Sequence, residues 1–596
     1  MKLALTAACA AALLLSGCGK KAMEPAAFEA LTSEFVRSSL ALAPVSATAA
    51  GLHTHNGVLL DEQLDDMSPA GIEAQRKHWR DWQSRLNGVD REKLDAESQA
   101  DLDLMKSQVE LALLDLDAIQ PWRHNPTVYV ELAGNALFTP YSVEYAPAPE
   151  RWNHIIARLK ALPALVEAAR KNLADSNAVW TRVAIEENDG NLALIEKEFP
   201  SKVPAGLKPR YDEAAGQAAA ALRGLSDHLK TLKDTGNDGW RLGKENYAKK
   251  FHLVVGEETT PEKLLADAEA ELLALRKRMF MLSLPLHVKY YPAHRDPVDL
   301  NLIVGETLNK VAQKHVTAGK YFEEAQKTLA ETRAFLKSHE DRIVKMPGRD
   351  NLQLIETPAF MRGVYGVGGF NPAPALQPEL GAFYWLTPIP KDWPQERVES
   401  KLREYNDYGL RILTIHEAIP GHYVQLEYAN QVQPAGRRLL RAVFGNGPYI
   451  EGWAVYATGV MLQEGYLGNN AEMELTWCKQ LLRAVSNTIL DIRMQTMGMS
   501  DGEAMNLMTG RTFQEREEAV AKLQRAKLSS CQLPTYYAGY RAWKQLRAAA
   551  EKKAGAGFRP GEFHQKALAE GSLPVAAVAR IMGLAVETAA APAASK

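Results

Sequence analysis

The chain has 596 residues, of which 46% are hydrophobic and 24% are charged. There are 70 lysine and arginine residues against 72 aspartate and glutamate residues, so the formal net charge is −2. These values exclude a disordered or collagen-like protein, and they argue against a dedicated nucleic-acid binder, which needs a basic face. The 4 cysteines are too few for a dense disulfide scaffold. The composition therefore predicts a large globular protein with enough chain for a substantial core.

The N-terminus has the pattern of an export signal. A basic residue precedes an apolar run that is too short to span a bilayer, and the run ends in Leu-Ser-Gly-Cys at residues 15–18. This ending resembles a bacterial lipobox, which implies cleavage before Cys18 and a lipid on its thiol; the alternative is an ordinary signal peptide with an incidental cysteine. By the same resemblance, Gly19 implies the outer membrane, facing the periplasm or the cell surface. We expect 1–17 to be a lipoprotein signal peptide and 18–27 a lipidated tether, with the lipid as the only membrane contact.

Helical periodicity dominates from residue 28 onward. Apolar positions recur with a period of about 3.6 residues, in segments separated by glycine, proline and polar turns. The predicted helical segments are 28–43, 70–87, 95–118, 150–173, 211–234, 261–282 and 301–338. Proline and glycine are dense between about 343 and 392, where the run at 382–387 predicts a small sheet or a pair of strands. Helices resume from about 395 to 580, and residues 585–596 are expected to form a loose tail.

The most informative segment reads His-Glu-Ala-Ile-Pro-Gly-His, at residues 416–422. In H-E-x-x-H zinc proteases the two histidines lie four residues apart on one helix face, with the glutamate beside them as the base. Here the spacing is six residues, which on a regular helix separates the two side chains by about 120°. Pro420 cannot continue the helix, and Gly421 tolerates unusual backbone angles. We therefore predict a break that returns His422 to the face of His416.

A catalytic zinc needs three protein ligands and one open position, so a third ligand is required. The candidate carboxylates downstream of the motif are Glu427, Glu451 and Glu464. Glu427 lies on the same run and is predicted to point away. Glu451 follows the turn at 446–448 and opens a new helix, and an antiparallel return of the chain would bring its first turn beside His422. We predict Glu451 as the third ligand.

The motif at 416–422, together with Glu-Gly-Trp-Ala-Val-Tyr-Ala at 451–457, resembles a bacterial family known as domain of unknown function 885. That family is grouped with the zincin metallopeptidases and is similar to the carboxypeptidase Taq family. The similarity extends over most of the mature chain. The resemblance implies these roles: His416, His422 and Glu451 as the ligands of one Zn²⁺ per chain, and Glu417 as the general base.

The resemblance also implies a fold. We expect a mainly α, large two-lobed helical zincin-like metallopeptidase fold, with a small β element before the active-site helix. Residues 28–584 are expected to form one large catalytic unit, with an N-terminal helical lobe at about 28–340 and a catalytic lobe at about 341–584. Outside the signal and the anchor, Cys478 and Cys531 remain, and they are expected either to pair in an oxidising compartment or to stay as buried thiols.

Two positions depart from the family's pattern. Tyr423 stands where the family often has a second histidine, and Gln495 stands where it frequently has a histidine. Asp491 is either an acceptor that orients a ligand imidazole or an acid that caps or lies on a helix surface.

The chemistry follows from the implied ligands. Zinc lowers the pKa of its bound water to about 7, and Glu417 takes the proton during attack on a carbonyl. The resulting oxyanion needs a hydrogen-bond donor. Among the tyrosines of 533–540, Tyr540 sits where the resemblance places a tyrosine, and we predict it as the donor in preference to Tyr537; a packing role is the alternative. The run at 383–387 is either an edge strand that pairs with an extended peptide or a purely structural strand.

The leading functional hypothesis is a zinc-dependent hydrolase of peptide bonds that acts on short or unfolded peptides. One alternative is a metal-dependent amidase acting on a non-peptide or cell-wall amide. Another is a non-catalytic lipoprotein binding module, against which the intact Glu417 argues, since such a module has no need of the base. The sequence has no phosphate-binding loop, which disfavours nucleotide enzymes.

Overall fold

The structure is a computed structural model that describes residues 23–294, 299–357, 362 and 366–586. The predicted signal peptide and Cys18 lie outside the described residues, as does most of the predicted tail. The first helix begins at Pro25, inside the segment that the sequence predicted as a tether. Among the helices of the described ranges, none combines the length and the apolar character needed to cross a bilayer.

The chain is mainly helical, as predicted. The helices before the three-stranded sheet are α1 (Pro25–Ala41), α2 (Pro44–Ala50), α3 (Pro69–Asn87), α4 (Ala96–Leu114), α5 (Pro121–His124), α6 (Thr127–Ser142), α7 (Ala148–Asn172), α8 (Ala178–Ala193), α9 (Lys208–Leu229), α10 (Gly243–Val255), α11 (Pro261–Tyr290), α12 (Leu300–Ala312) and α13 (Tyr321–Ser338). The helices after it are α14 (Gln395–Glu404), α15 (Asp407–Glu417), α16 (His422–Ala429), α17 (Ala435–Val443), α18 (Gly447–Gln463), α19 (Ala471–Thr496), α20 (Asp501–Met505), α21 (Arg516–Leu528), α22 (Thr535–Ala554), α23 (Pro560–Ala569) and α24 (Val575–Ile581).

Side-chain caps fix the start of the two helices that matter most for the site. The side chain of Asn406 accepts hydrogen bonds from the backbone N–H groups of Tyr408 and Gly409 at the start of α15. Asn446 accepts from the N–H of Tyr449 at the start of α18, where Pro448 lies in the first turn. Asparagine is a favoured N-cap, and proline is tolerated in a first turn because its missing N–H has no partner there. These local signals set where α15 and α18 begin.

The strands are β1 (Thr54–His55), β2 (Val58–Leu59), β3 (Asp175–Ser176), β4 (Lys233–Asp234), β5 (Leu352–Glu356), β6 (Gly368–Asn371) and β7 (Ala382–Leu386). The predicted small sheet is confirmed as a three-stranded sheet in the order β5-β7-β6, in which β5 is parallel and β6 antiparallel to β7. Of the two alternatives for the run at 383–387, the structure favours the purely structural strand, because β7 is paired on both sides. Its backbone therefore has no free edge for a peptide substrate.

The largest hydrophobic cluster contains residues from both ends of the described chain. One large cluster runs from Phe28 to Ala579 and includes side chains of both α1 and α24. A second cluster lies within Tyr129–Leu229, from α6 to α9. The larger cluster crosses residue 340, so N-terminal and C-terminal helices are packed into one core.

The two cysteines outside the predicted signal and anchor, Cys478 and Cys531, are both buried and free. The structure therefore decides between the two predicted alternatives in favour of unpaired thiols. Burial raises the pKa of the Cys478 thiol to about 11, so this side chain stays protonated at neutral pH.

Candidate metal centre

The two histidines of the motif lie on either side of a break between two helices. Helix α15 ends at Glu417 and α16 begins at His422, so the predicted proline–glycine break is confirmed. The N–H of Gly421 donates to the carbonyl oxygen of Ile415 at 2.9 Å. A Cβ at Gly421 would lie only 2.0 Å from the carbonyl oxygen of His416, so the chain can turn back this closely only at a glycine.

The break brings the predicted ligands together. The Nε2 atoms of His416 and His422 each lie 3.5 Å from Oε2 of Glu451. The two imidazole rings are 4.7 Å apart between centroids and inclined at 79°. The three side chains are 18%, 10% and 19% exposed respectively, so they line a recess that solvent still reaches.

Glu451 is held at this position by its own helix. It lies on α18, two residues before Trp453, which is fully buried. The indole N–H of Trp453 donates to the carbonyl oxygen of Pro420 at 2.8 Å. This bond joins α18 directly to the break that separates the two histidines.

The donor set and its spacing fit a zinc ion. Zinc binds imidazole nitrogen and carboxylate oxygen at about 2.0–2.2 Å, which puts tetrahedral ligand atoms roughly 3.3 Å from one another. The nitrogen–oxygen separations of 3.5 Å agree with this spacing and are long for direct hydrogen bonds. Oε2 of Glu451 is also buried without a hydrogen-bond partner. A buried carboxylate oxygen without a donor is costly, and a shared cation would satisfy it.

The electrostatics favour the ligand form of the carboxylate. Although burial opposes ionisation, the imidazoles of His416 and His422 hold the pKa of Glu451 well below its ordinary value. Burial lowers the pKa of His422, but Glu451 and Glu417 outweigh it and raise that pKa above its ordinary value. The carboxylate is therefore ionised at neutral pH, and a cation between the three groups would replace protons on the imidazoles.

Glu417 is the predicted base. It is the last residue of α15, directly after the ligand candidate His416, and it is partly exposed. Within the described part of the chain its carboxylate makes no hydrogen bond or ion pair. It can therefore accept a proton without first breaking another interaction.

Tyr536, not Tyr540, lies at the recess. The ring of Tyr536 stacks on His416 with 6.3 Å between centroids and 16° between planes. Tyr540 lies one turn further along α22, where its ring contacts Trp477 at 6.4 Å and the ammonium of Lys544 lies over it at 5.3 Å. The predicted position of Tyr540 beside the metal ligands is therefore corrected.

The packing of α18 against α22 explains this correction. The two helices touch backbone to backbone, since a Cβ at Gly452 would lie 2.3 Å from the carbonyl carbon of Gly539. A Cβ at Gly447 would lie 3.2 Å from Cγ2 of Thr535, so the first turns of α18 and α22, which carry Glu451 and Tyr536, lie side by side. Gln532, just before α22, approaches the same carboxylate, with Nε2 3.5 Å from Oε1 of Glu451.

Asp491 has neither of the predicted roles. Its carboxylate is fully buried and accepts hydrogen bonds from the hydroxyl of Tyr247 at 2.6 Å and the N–H of Cys531 at 3.0 Å. Burial raises the pKa of Asp491 to about 7. It is thus a buried structural acid that neither orients a ligand imidazole nor lies on the surface.

Tyr423 and Gln495, the two residues that depart from the family's pattern, both form hydrogen bonds with backbone groups. The hydroxyl of Tyr423 accepts from the N–H of Asn351 and donates to the carbonyl of Arg349, both at 3.0 Å. Gln495 accepts from the N–H of Leu242 at 2.8 Å. Neither side chain is among the groups that converge on Glu451.

The structure contains a second cluster of ligand-type side chains that the sequence did not predict. Glu306 lies 2.6 Å from Nε2 of His287 and 3.3 Å from Nδ1 of His294. His287 lies in the last turn of α11, and His294 lies in the turn that follows the helix, seven residues later in the sequence. The shorter distance is that of a direct hydrogen bond, so this group is joined without any cation.

Comparisons with known proteins agree with this architecture. The family model described as a bacterial protein of unknown function (DUF885) matches residues 44–582. The chain belongs to this family. The resemblance drawn from the two motifs is thereby confirmed at the level of the DUF885 family. A comparison with curated proteins finds no match.

Two solved structures are similar to the chain. One is described as a "putative lipoprotein of unknown function" from Shewanella oneidensis, with 29% identity, a TM-score of 0.77, and coverage of 94% of this chain and 100% of that one. The other is a "putative lipoprotein" from Colwellia psychrerythraea, with 16% identity, a TM-score of 0.74, and coverage of 93% and 98%. The second likeness shows the shared fold alone.

Proposed function

We propose that this protein is a zinc-dependent hydrolase of peptide bonds with a two-lobed zincin-like fold. The observation that carries the proposal is the placement of two imidazole nitrogens at 3.5 Å from one unpartnered carboxylate oxygen, Oε2 of Glu451. The glutamate that follows His416 adds a base to the same recess. A binding module would need the ligand set but not the base.

The residues around the recess have different roles in the proposed hydrolysis. A zinc ion held by His416, His422 and Glu451 would polarise a water molecule and a substrate carbonyl. Glu417 accepts the proton of the attacking water and returns it to the leaving nitrogen as the peptide bond breaks. The unpaired state of its carboxylate in this structure suits both steps.

Tyr536 supplies the hydrogen bond to the developing oxyanion. Its hydroxyl oxygen accepts from Arg525 at 3.2 Å and has Gln532 Nε2 at 3.4 Å. Both neighbours are donors, so the phenolic proton remains available for a substrate oxygen. Burial, followed by the charge of Glu451, raises the pKa of Tyr536, which keeps the phenol protonated at neutral pH.

The substrates we propose are short or unfolded peptides, because the ligand side chains are at most 19% exposed and a folded surface would not reach them. We further propose that the protein is exported and held at the outer membrane, facing the periplasm or the cell surface, by a lipid on Cys18. The sequence at 15–18 supports this, as do the two similar structures described as putative lipoproteins.

Digestion of a mixed peptide library by the protein without its first 17 residues tests the proposal. Mass spectrometry should detect cleaved peptides when zinc is present and none after chelation. Glu417→Gln should be inactive at the same zinc content. A zinc-loaded wild-type protein that leaves every peptide intact would contradict peptidase activity.

A further inference from the structure

Helix α21 presents two cationic side chains next to the recess. Lys522 and Arg525 are three residues apart, so they share one face of the helix. Lys522 is only 5% exposed, and it makes no hydrogen bond or ion pair with any residue in the described ranges. Arg525, in contrast, is exposed to solvent.

Arg525 is joined to the recess by short contacts. Its Nη2 atom donates to the hydroxyl of Tyr536 at 3.2 Å and to Oε1 of Gln532 at 2.8 Å. Tyr536 in turn stacks on His416. One aromatic side chain therefore separates the guanidinium from a ligand candidate. Both bonds use Nη2, so the remaining N–H groups of the guanidinium are available to another acceptor.

The acidic group nearest to Lys522 on its own helix is already engaged. Glu518 forms an ion pair with Arg483 and accepts from the hydroxyl of Tyr405 at 3.3 Å. Burial, together with Arg483 and Arg525, holds the pKa of Lys522 well below its ordinary value, and Glu518 and Glu451 only partly offset this. An anion beside Lys522 would favour its charged form and would supply the counter-ion that this buried position lacks in the described part of the chain.

We propose that Lys522 and Arg525 bind the free C-terminal carboxylate of a peptide substrate. The reaction part of this inference rests on the proposed function, but carboxylate binding does not. An extended peptide advances roughly 3.3–3.6 Å per residue, and a tyrosine side chain spans about two such steps. With the carboxylate held here, the scissile bond lies one or two residues from the C-terminus, and the enzyme removes that terminal piece.

Calorimetry on Glu417→Gln, which is not expected to turn over substrate, measures the binding directly. The probes are the tripeptide Ala-Ala-Phe, its C-terminal amide, and Ala-Asp-Phe amide, which carries its carboxylate on a side chain. We expect the free acid to bind at least tenfold more tightly than either amide, with and without zinc. Equal affinity for acid and amide, or no detectable binding of the acid, would overturn the proposal. Rescue by the aspartate side chain would assign the subsite to acidic side chains instead and overturn it as stated.

Two further variants in the same background, Arg525→Met and Lys522→Met, test the residues. Each should reduce the preference for the acid to less than about threefold. Arg525→Lys should retain part of it, because the charge is kept. Arg516→Met, an exposed position on the same helix, is the control and should leave the preference unchanged. An undiminished preference in either test variant would contradict the assignment.

Thermal unfolding separates a binding role of Lys522 from a structural one. Removal of a buried amine that has no partner among the described residues should raise the melting temperature in Lys522→Met, whereas loss of a structural contact would lower it.

A cleavage assay tests the reaction part of the proposal. In the zinc-loaded protein with Glu417 intact, free-acid peptides should lose one or two C-terminal residues. Cleavage of amidated peptides at equal rates contradicts the carboxylate subsite, whereas no cleavage of any peptide contradicts the proposed function and leaves the calorimetric result to decide the binding proposal.

Discussion

The indole N–H of Trp453 donates a 2.8 Å hydrogen bond to the carbonyl oxygen of Pro420. The donor lies on α18, which carries Glu451. The acceptor lies in the break that brings the imidazole rings of His416 and His422 close together. The candidate ligands are far apart in sequence, and this bond fixes the distance between the segments that bear them. The shape of the site therefore depends on a buried tryptophan that is not itself a candidate ligand.

Replacement of that tryptophan should loosen the site. Trp453→Phe keeps an aromatic ring but leaves the Pro420 carbonyl without its donor. Zinc affinity should fall about 10–100-fold, which is typical for loss of a supporting hydrogen bond. The free energy of unfolding should fall by about 1–3 kcal/mol. Competition with a zinc-binding dye measures the affinity. Trp82→Phe is the control, because Trp82 is also buried but donates to Ser38, away from the site.

The close turn at Gly421 should not tolerate a side chain. In Gly421→Ala the new methyl group would meet the carbonyl oxygens of Ile415 and His416 at 2.3 and 2.0 Å. The break must then open, and we expect loss of about 1–3 kcal/mol of stability together with most zinc binding. Gly459→Ala on α18 is the matched control, since its Cβ meets Trp477 at an ordinary 3.5 Å. Full zinc content in Gly421→Ala would show that the turn does not set the ligand geometry.

The correction from Tyr540 to Tyr536 can be tested by a pair of substitutions. Tyr536→Phe should lower kcat by about 10²–10³-fold, the usual cost of one oxyanion donor, at unchanged zinc content. Tyr540→Phe should retain activity close to wild type. Steady-state kinetics on one peptide substrate compares the two. The reverse ranking would restore the original prediction.

The raised pKa of Asp491 predicts that the free energy of unfolding depends on pH. Burial raises its pKa in the folded protein to about 7, above the value of about 3.9 in an unfolded chain. The protonated form is thus favoured by folding, and its contribution is complete below about pH 4 and is lost as the pH rises to about 7. The total change across this window is about 4 kcal/mol.

Urea unfolding of Asp491→Asn at pH 5 and pH 8 measures this effect. Asparagine cannot ionise, so the variant should gain stability relative to the wild type between the two pH values. Asp227→Asn is the control, since Asp227 is 78% exposed and should show a constant difference. A difference between Asp491→Asn and the wild type that does not change with pH would mean that Asp491 is ionised throughout.

The sequence predicted the local features of the site because each has a local cause. The proline–glycine pair marks the break, and the turn before Glu451 marks the start of its helix. Tyr536 and Tyr540 share one helix face, so only the ring contact between Tyr536 and His416 shows which of them lies beside the ligands. That contact depends on tertiary packing, which periodicity does not encode.

Other features depended on tertiary contacts in the same way. The order of the strands places β7 in the centre, although its pattern alone is equally consistent with an edge. The charged run at 515–518 has the sequence pattern of a solvated helix face, but Glu518 is 12% exposed and paired with Arg483. Nothing in the sequence around Lys522 distinguishes it from the other charged residues of α21. Its isolation appears only when the neighbouring helices are in place.

Zinc content and affinity of the purified protein test the central claim most directly. After loading and dialysis, elemental analysis should find one zinc per chain in the wild type and in Glu417→Gln. Glu451→Gln should bind zinc at least 100-fold more weakly, since it loses a charged ligand. Glu464→Gln, another carboxylate considered from the sequence, pairs with Arg342 and should bind zinc like the wild type. A wild-type protein without stoichiometric zinc, or a Glu451→Gln variant with unchanged affinity, would contradict the metal site.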